Sequence, residues 1–161
     1  MLFHICRWLQ ENSFIALING TAWSAAAVEI IHYFSMFILV GSMVIVDLRV
    51  LGLVGRGQDA TQFAGRLFPW IWGSLALNFL SGFVMFAGSA TAYYRNDIFY
   101  DKMGVILLAI GANILVQQKV DKWNQLLAMP ASAKLLAVPW IGLWVGAILA
   151  GVEVPALTGV G

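Results

Sequence analysis

Charged side chains are scarce in this sequence. Asp, Glu, Lys and Arg together supply 11% of the residues, whereas hydrophobic residues supply 61%. Ordinary soluble domains carry about a quarter of charged residues. So few charged residues cannot form a water-facing surface around so many apolar ones. The composition therefore predicts an integral membrane protein surrounded largely by lipid.

Cysteine and histidine are almost absent. The single cysteine, Cys6, excludes a disulfide within the chain and any site built only from cysteines, and the only histidines are His4 and His32. The sequence also lacks the nucleophile-elbow, zinc-protease, Walker and dinucleotide-binding motifs. With a net charge of +1 and dispersed basic residues, it has no nucleic-acid-binding face. We therefore expect no catalytic residues and no enzymatic activity of the chain on its own.

The hydrophobic segments predict an all-α fold, a membrane-embedded four-helix bundle in a single domain over residues 1–161. About 20 apolar residues suffice to cross a bilayer as a helix, and the predicted spans are at about residues 22–48, 67–88, 101–118 and 135–154. Polar residues interrupt the segment 3–18, which predicts an amphipathic helix lying in the membrane interface. Residues 52–65 are expected to form a loop or a short surface helix, with Pro69 in the first turn of the second span.

The basic residues predict the orientation of the bundle. The loops after the first and third spans contain six of them, which are Arg49, Arg56, Arg66, Lys119, Lys122 and Lys134. The opposite side of the membrane has three, which are Arg7, Arg95 and Lys102. Because cytoplasmic loops are enriched in Lys and Arg, both termini are expected on the outer, periplasmic side of a bacterial inner membrane.

Small residues indicate where helices pack closely. In lipid the hydrophobic effect does not drive helices together, so they associate largely through van der Waals contacts. Glycine strengthens these contacts because it lets the backbone of a neighbouring helix come close. The clearest pair is Gly142 and Gly146, four residues apart in the last span. We expect these glycines to pack the bundle together, with association to other subunits or self-association as the alternative use of that face.

Glu29 and His32 are the ionisable residues that lie deepest in the first span. Ionisable groups inside a membrane are expensive and usually functional. At a spacing of three residues they share a helix face, so Glu29 is positioned to accept the ring N–H of His32 and orient it. The second ring nitrogen is then available for heme iron, copper, a quinone oxygen or a proton, unless His32 merely makes a hydrogen bond across the bundle.

A heme b site would require further ligands near His32. A second histidine is poorly placed, since His4 lies in the interfacial segment, but a single axial histidine or a pair with Met85 is possible. Asn78 and Asn113, near the middles of the second and third spans, can line such a site or hydrogen-bond across the bundle.

Copper is the less favoured alternative. Met36 follows His32 by four residues and Met43 follows Met36 by seven, which places soft thioether ligands along the face of the histidine. Methionine also fills gaps in ordinary cores, so the same residues are compatible with simple packing.

Asp47 and Arg49 close the first span. Two residues apart, they do not face each other on a helix. We expect each to find a partner on another element or among the lipid headgroups, in a structural role.

The sequence resembles a family of small bacterial four-helix membrane proteins of unknown function. The residues that carry the resemblance are Val28 to His32, Gly41-Ser42, Asp47 to Gly52, Pro69-Trp70, Ser81-Gly82, Asn96 to Phe99, and Lys102. The resemblance implies that His32, Asp47, Arg49 and Lys102 occupy motif positions. It implies no activity, and Gly151-Val152-Glu153 departs from the glycine and arginine with which that family usually ends its last helix.

Small size, one intramembrane histidine and the lack of a soluble domain favour an accessory or anchor subunit of a membrane electron-transfer complex. In this hypothesis His32 contacts heme or quinone, and the partners are lipid and other membrane subunits. The alternatives are a copper-handling membrane protein and a purely structural subunit without a ligand.

Overall fold

The computed structural model describes residues 1–55 and 57–124, and also residues 135, 137, 139, 141–146 and 148. Every regular element in these ranges is a helix. In chain order the helices are α1 (Leu2–Gln10), α2 (Ser13–Gly20), α3 (Ala22–Leu51), α4 (Ala60–Gly88), α5 (Ala90–Tyr93) and α6 (Asp97–Asn124).

Three helices are long and apolar enough to cross a membrane, over Ala22–Leu51, Thr61–Gly88 and Asp97–Lys119. The prediction of an all-helical chain with membrane-spanning segments is confirmed to that extent. The fourth predicted span, 135–154, falls largely outside the described residues. Within it, residues 141–146 are helical, and Trp144 is buried in the core that α3, α4 and α6 share.

The first spanning helix, α3, ends in a glycine cap. Gly52 adopts a left-handed conformation with φ of 77°, which side chains with a Cβ rarely adopt. Its N–H donates to the Arg49 carbonyl at 3.0 Å, and the N–H of Leu53 donates to the Leu48 carbonyl at 2.9 Å. This pattern satisfies carbonyls at the end of the helix, so α3 extends to Leu51, three residues beyond the predicted end.

The second spanning helix, α4, begins seven residues earlier than the predicted residue 67. Asp59 caps it, because its side-chain oxygen accepts a hydrogen bond from the backbone N–H of Gln62 at 2.9 Å. Pro69 consequently lies inside α4 and not in a first turn. Transmembrane helices tolerate such a proline because neighbouring groups satisfy the freed backbone.

The N-terminal segment forms two helices where one, over 3–18, was expected. Asn12 separates them and caps α2 by accepting from the N–H of Phe14 at 3.0 Å. Gln10 at the end of α1 accepts a hydrogen bond from the Thr91 hydroxyl at 2.8 Å, which ties α1 to α5. Leu2, Ile5 and Trp8 of α1 are exposed, and the interfacial position of this segment stays a prediction.

The core lies between the three long helices and the segment 141–148. Its buried residues are Leu39, Val40, Met43 and Val46 from α3, Ala64 and Ile71 from α4, Ala109, Ala112 and Val116 from α6, and Trp144. The most extensive pairing is between α3 and α4. α6 joins α4 through a hydrogen bond from the Trp72 indole to Gln117 at 3.0 Å and through the stacked rings of Phe86 and Phe99.

Candidate functional site

Four polar side chains meet where α3 crosses α4, and we call His32, Ser35, Asn78 and Ser81 the polar node. His32 Nδ1 lies 3.2 Å from the backbone oxygen of Asn78 and 3.1 Å from Ser81 Oγ. In return, the Asn78 amide donates to the backbone oxygen of His32 at 2.9 Å and to Ser35 Oγ at 3.2 Å. Each helix thus uses a side chain to bind the backbone of the other.

The hydroxyls of the node complete its hydrogen bonding locally. Ser35 donates to the backbone oxygen of His32 at 2.8 Å, and Ser81 lies within donating distance of the Leu77 and Asn78 carbonyls, at 2.8 and 3.1 Å. Buried polar groups in a membrane are costly unless paired. The node is therefore a connected network in which each side chain has a partner.

Gly82 makes room for the imidazole. A Cβ built at Gly82 would lie 3.0 Å from His32 Cε1 and 3.4 Å from Nδ1. The Nδ1–Cε1 side of the ring consequently rests against α4. Nε2, which is bonded to Cε1, would lie more than 4 Å from that Cβ, and His32 as a whole is half-buried.

The expected hydrogen bond from His32 to Glu29 is not formed. Glu29 is exposed and interacts with the hydroxyl of Tyr33, four residues farther along the helix. The acceptors at the ring are on α4, because Gly82 lets the imidazole reach across the helix contact. Sequence spacing correctly puts Glu29 and His32 on neighbouring positions, but it could not reveal the competing acceptors on another helix.

Charges from two elements act on the imidazole. Lys102, the sixth residue of α6, and Glu29 of α3 both interact electrostatically with His32. Within the part of the chain that the structure describes, Lys102 is half-buried and forms no ion pair. Nearby in α5, outside the spans, burial raises the pKa of the Tyr93 hydroxyl, so that this side chain remains neutral.

The three methionines proposed as ligands have different surroundings. Met43 is 2% exposed in the core, and Met36 is half-buried against that core. Met85 is half-buried on α4, one helical turn after Ser81. No group of three or more His, Cys, Asp and Glu side chains that could hold a metal ion occurs in the described ranges. Any metal at His32 would therefore find few other protein ligands of these types.

Asn78 and Asn113 have different hydrogen-bonding surroundings. Asn78 belongs to the polar node, as its position in the second span predicts. Asn113 is only 2% exposed, and its side-chain oxygen has no hydrogen-bond partner among the described residues. Within that part of the chain, the oxygen accepts no hydrogen bond across the bundle.

Arg49 and Asp47 also differ in their hydrogen bonding. A terminal nitrogen of Arg49 donates to the backbone oxygen of Gln58 at 2.7 Å and so ties the end of α3 to the loop before α4. Asp47 is completely buried, and neither of its carboxyl oxygens has a hydrogen-bond partner among the described residues. Within those residues, the expectation of a partner is met for Arg49 and not for Asp47.

Gly142 and Gly146 lie in the helical segment 141–146. Among the described residues, no atom lies within 4 Å of a Cβ added at either glycine. The close packing expected for them stays a prediction, because most of the fourth predicted span falls outside the described residues.

Sequence reasoning singled out His32 and Asn78 but missed Ser35 as part of the site and treated Ser81 and Gly82 only as packing or motif residues. A signal for them existed. Ser35 follows His32 by three residues, and Ser81 follows Asn78 by three, so each pair shares a helix face. Two short polar faces on adjacent apolar helices favour a contact between them.

The chain belongs to the family described as "Family of unknown function (DUF6644)", whose model matches residues 6–155. This match confirms the resemblance to a family of unknown function. No curated protein matches the chain. No solved structure matches it either.

Proposed function

We propose that this chain is an accessory or anchor subunit of a membrane electron-transfer complex and that His32 contacts a redox group inside the membrane. The observation that carries the proposal is the fixed imidazole of His32. Its Nδ1 is bound to α4, and no hydrogen bond of Nε2 occurs among the described residues.

The proposal includes a particular topology. Residues 135–154 form a fourth span of a four-helix bundle, and both termini lie on the outer side of a bacterial inner membrane. Cys6, the only cysteine, offers a direct test: a membrane-impermeant maleimide added to intact spheroplasts should label the protein and should fail to label Cys6→Ala. Labelling that appears only after lysis would reverse the orientation.

Partner subunits have surface available to them. In the apolar 18-residue stretch with which each helix could cross the membrane, only 22% of α4 and 17% of α6 is buried inside the protein. This low burial supports a helix bundle whose long sides contact other membrane components.

The test is a reduced-minus-oxidised visible spectrum of the complex purified in mild detergent. We expect a redox signal in the wild type that is lost in His32→Asn. Asparagine can place an amide nitrogen close to the position of Nδ1, so it retains a donor toward α4 while it removes Nε2. His4→Ala is the matched control, because His4 is exposed in α1.

The outcomes separate the alternatives. A redox signal that survives in both His32→Asn and His32→Ala would refute the role of His32. If no redox group or redox partner is recovered with the wild type, the chain is a structural subunit and the proposal fails. Copper in the purified protein that is lost in Met36→Ala would instead favour copper handling.

A further inference from the structure

We infer that Nε2 of His32 is an axial ligand position for heme iron, and not a hydrogen-bond donor to a quinone. The inference rests on the proposed function and narrows the redox group to a metal macrocycle. It follows from the hydrogen bonds at the other ring nitrogen, from the lack of a cluster of His, Cys, Asp and Glu among the described residues, and from the charge on Lys102.

The partners of Nδ1 determine which ring nitrogen carries the proton. The backbone oxygen of Asn78, 3.2 Å away, can only accept. Ser81 has carbonyl oxygens within reach of its own hydroxyl proton, so its Oγ turns a lone pair toward the ring. Because both neighbours act as acceptors, Nδ1 is the protonated nitrogen.

A neutral imidazole with its proton on Nδ1 carries a lone pair on Nε2. A quinone carbonyl needs a donor, which this nitrogen does not provide. A metal centre needs the lone pair, and histidines that bind metals almost always donate the other ring N–H to a carboxylate, a backbone carbonyl or water. The arrangement at Asn78 and Ser81 is of that kind.

The number of ligands favours a macrocycle over a free ion. Transition-metal ions are commonly held by three or four protein ligands. No cluster of three His, Cys, Asp or Glu side chains occurs among the described residues, so apart from thioethers His32 would have too few ligands to hold an ion. A porphyrin supplies four nitrogen ligands itself and needs the protein only for axial positions, for which one histidine is sufficient.

Lys102 complements the charge of such a ligand. Heme carries two carboxylates, and an ammonium group is a favourable partner for a carboxylate at the membrane boundary. Lys102 acts electrostatically on His32 and has no ion pair in the described part of the chain. Its charge therefore suits the carboxylates of a macrocycle whose iron is bound at Nε2.

The first test is the protonation state of the ring. Since the chain has only two histidines, His4→Ala leaves His32 as the sole imidazole, and ¹⁵N-histidine NMR of the detergent-solubilised protein reports on it alone. We expect a protonated Nδ1 and an unprotonated Nε2. The opposite tautomer would overturn the inference whatever redox group the complex contains.

The second test is titration of ferric protoporphyrin into the purified protein, with the Soret band as readout. We expect saturable, one-to-one binding in wild type and His4→Ala, and loss of the histidine-type Soret shift in both His32→Asn and His32→Gln. Ser81→Ala should weaken binding by about tenfold, the lower end for a group that supports a metal ligand. Lys102→Met should also weaken binding, whereas Lys119→Met, an exposed residue of α6, should not.

The two proposals fail differently. Equal hemin binding by wild type and His32→Asn, or none by wild type, would refute the axial ligand, even if a redox partner copurifies with the chain. Hemin binding through His32 in a protein that never copurifies with a redox group or partner would retain the ligand position and refute the electron-transfer function.

Discussion

Gly82→Ala should displace the imidazole of His32 and destabilise the protein. The new Cβ would be 3.0 Å from His32 Cε1, and ordinary contacts begin at 3.4 Å. A movement of the ring by about half an ångström away from α4 would remove the overlap. The same movement would lengthen the contact of Nδ1 with the Asn78 oxygen from 3.2 Å to about 3.7 Å, beyond a useful hydrogen bond.

The magnitude follows from the lost bonds. Each hydrogen bond contributes about 0.5–1.5 kcal/mol, so weakening both contacts of Nδ1 should lower the free energy of unfolding by about 1–2 kcal/mol. Alanine also has a higher helix propensity than glycine, by about 1 kcal/mol. Gly73→Ala is the matched control for that gain, because it lies in the same helix and its Cβ would meet nothing within 4 Å.

The measurement is unfolding in mixed detergent micelles, with the free energies of the two alanine variants compared. We expect Gly82→Ala to be the less stable by about 1–2 kcal/mol and its His32 ring ¹⁵N shifts to move. Equal stability with unchanged ring shifts would show that the ring does not rest on Gly82, and the geometry of the polar node would be refuted.

Three further changes test other parts of the fold. Asp47→Asn removes the charge from a fully buried carboxyl that lacks hydrogen-bond partners, so thermal stability above neutral pH should be unchanged or higher. Gln10→Ala removes the acceptor for the Thr91 hydroxyl and should accelerate amide exchange throughout α1. Asp59→Ala removes the cap at the Gln62 N–H and should lower the free energy of unfolding by about 1 kcal/mol, with faster exchange in the first turn of α4.

Each change has its own check. A loss of stability in Asp47→Asn would mean that the carboxylate makes a favourable interaction as a charge. For Gln10, the neighbouring Glu11→Ala removes only an exposed ion pair with Arg7, which solvent screens, and should leave exchange in α1 nearly unchanged. Protection at the start of α4 that survives Asp59→Ala would show that packing holds this turn.

The sequence predicts the long helices because length and apolarity are local properties of the chain. Their ends were less predictable. Residue 67 was predicted as the start of α4 because residues 60–66 are polar in composition. The helix starts earlier because the side chain of Asp59 caps it. Similarly, the break at Asn12 is a capping effect within a segment whose composition suits a single interfacial helix.

The candidate site was only partly predictable for a different reason. That His32 is unusual follows from the cost of an ionisable group in an apolar helix. Its partners depend on how α3 is rotated against α4, which no pattern within one helix specifies. Glu29 is close to His32 in sequence, yet the acceptors are Asn78 and Ser81, reached because Gly82 has no side chain.

Because the polar node joins side chains of one helix to the backbone of the other, it also prevents α3 and α4 from sliding lengthwise. A slip of one turn, about 5.4 Å, would leave the amide, the hydroxyls and the imidazole facing hydrocarbon. The position of His32 along α4 is therefore constant, at about 15 Å along α3 from Ala22 by the rise per residue. A change in bilayer thickness would have to be met by tilting or moving α3 and α4 together, because the polar node opposes their movement past each other.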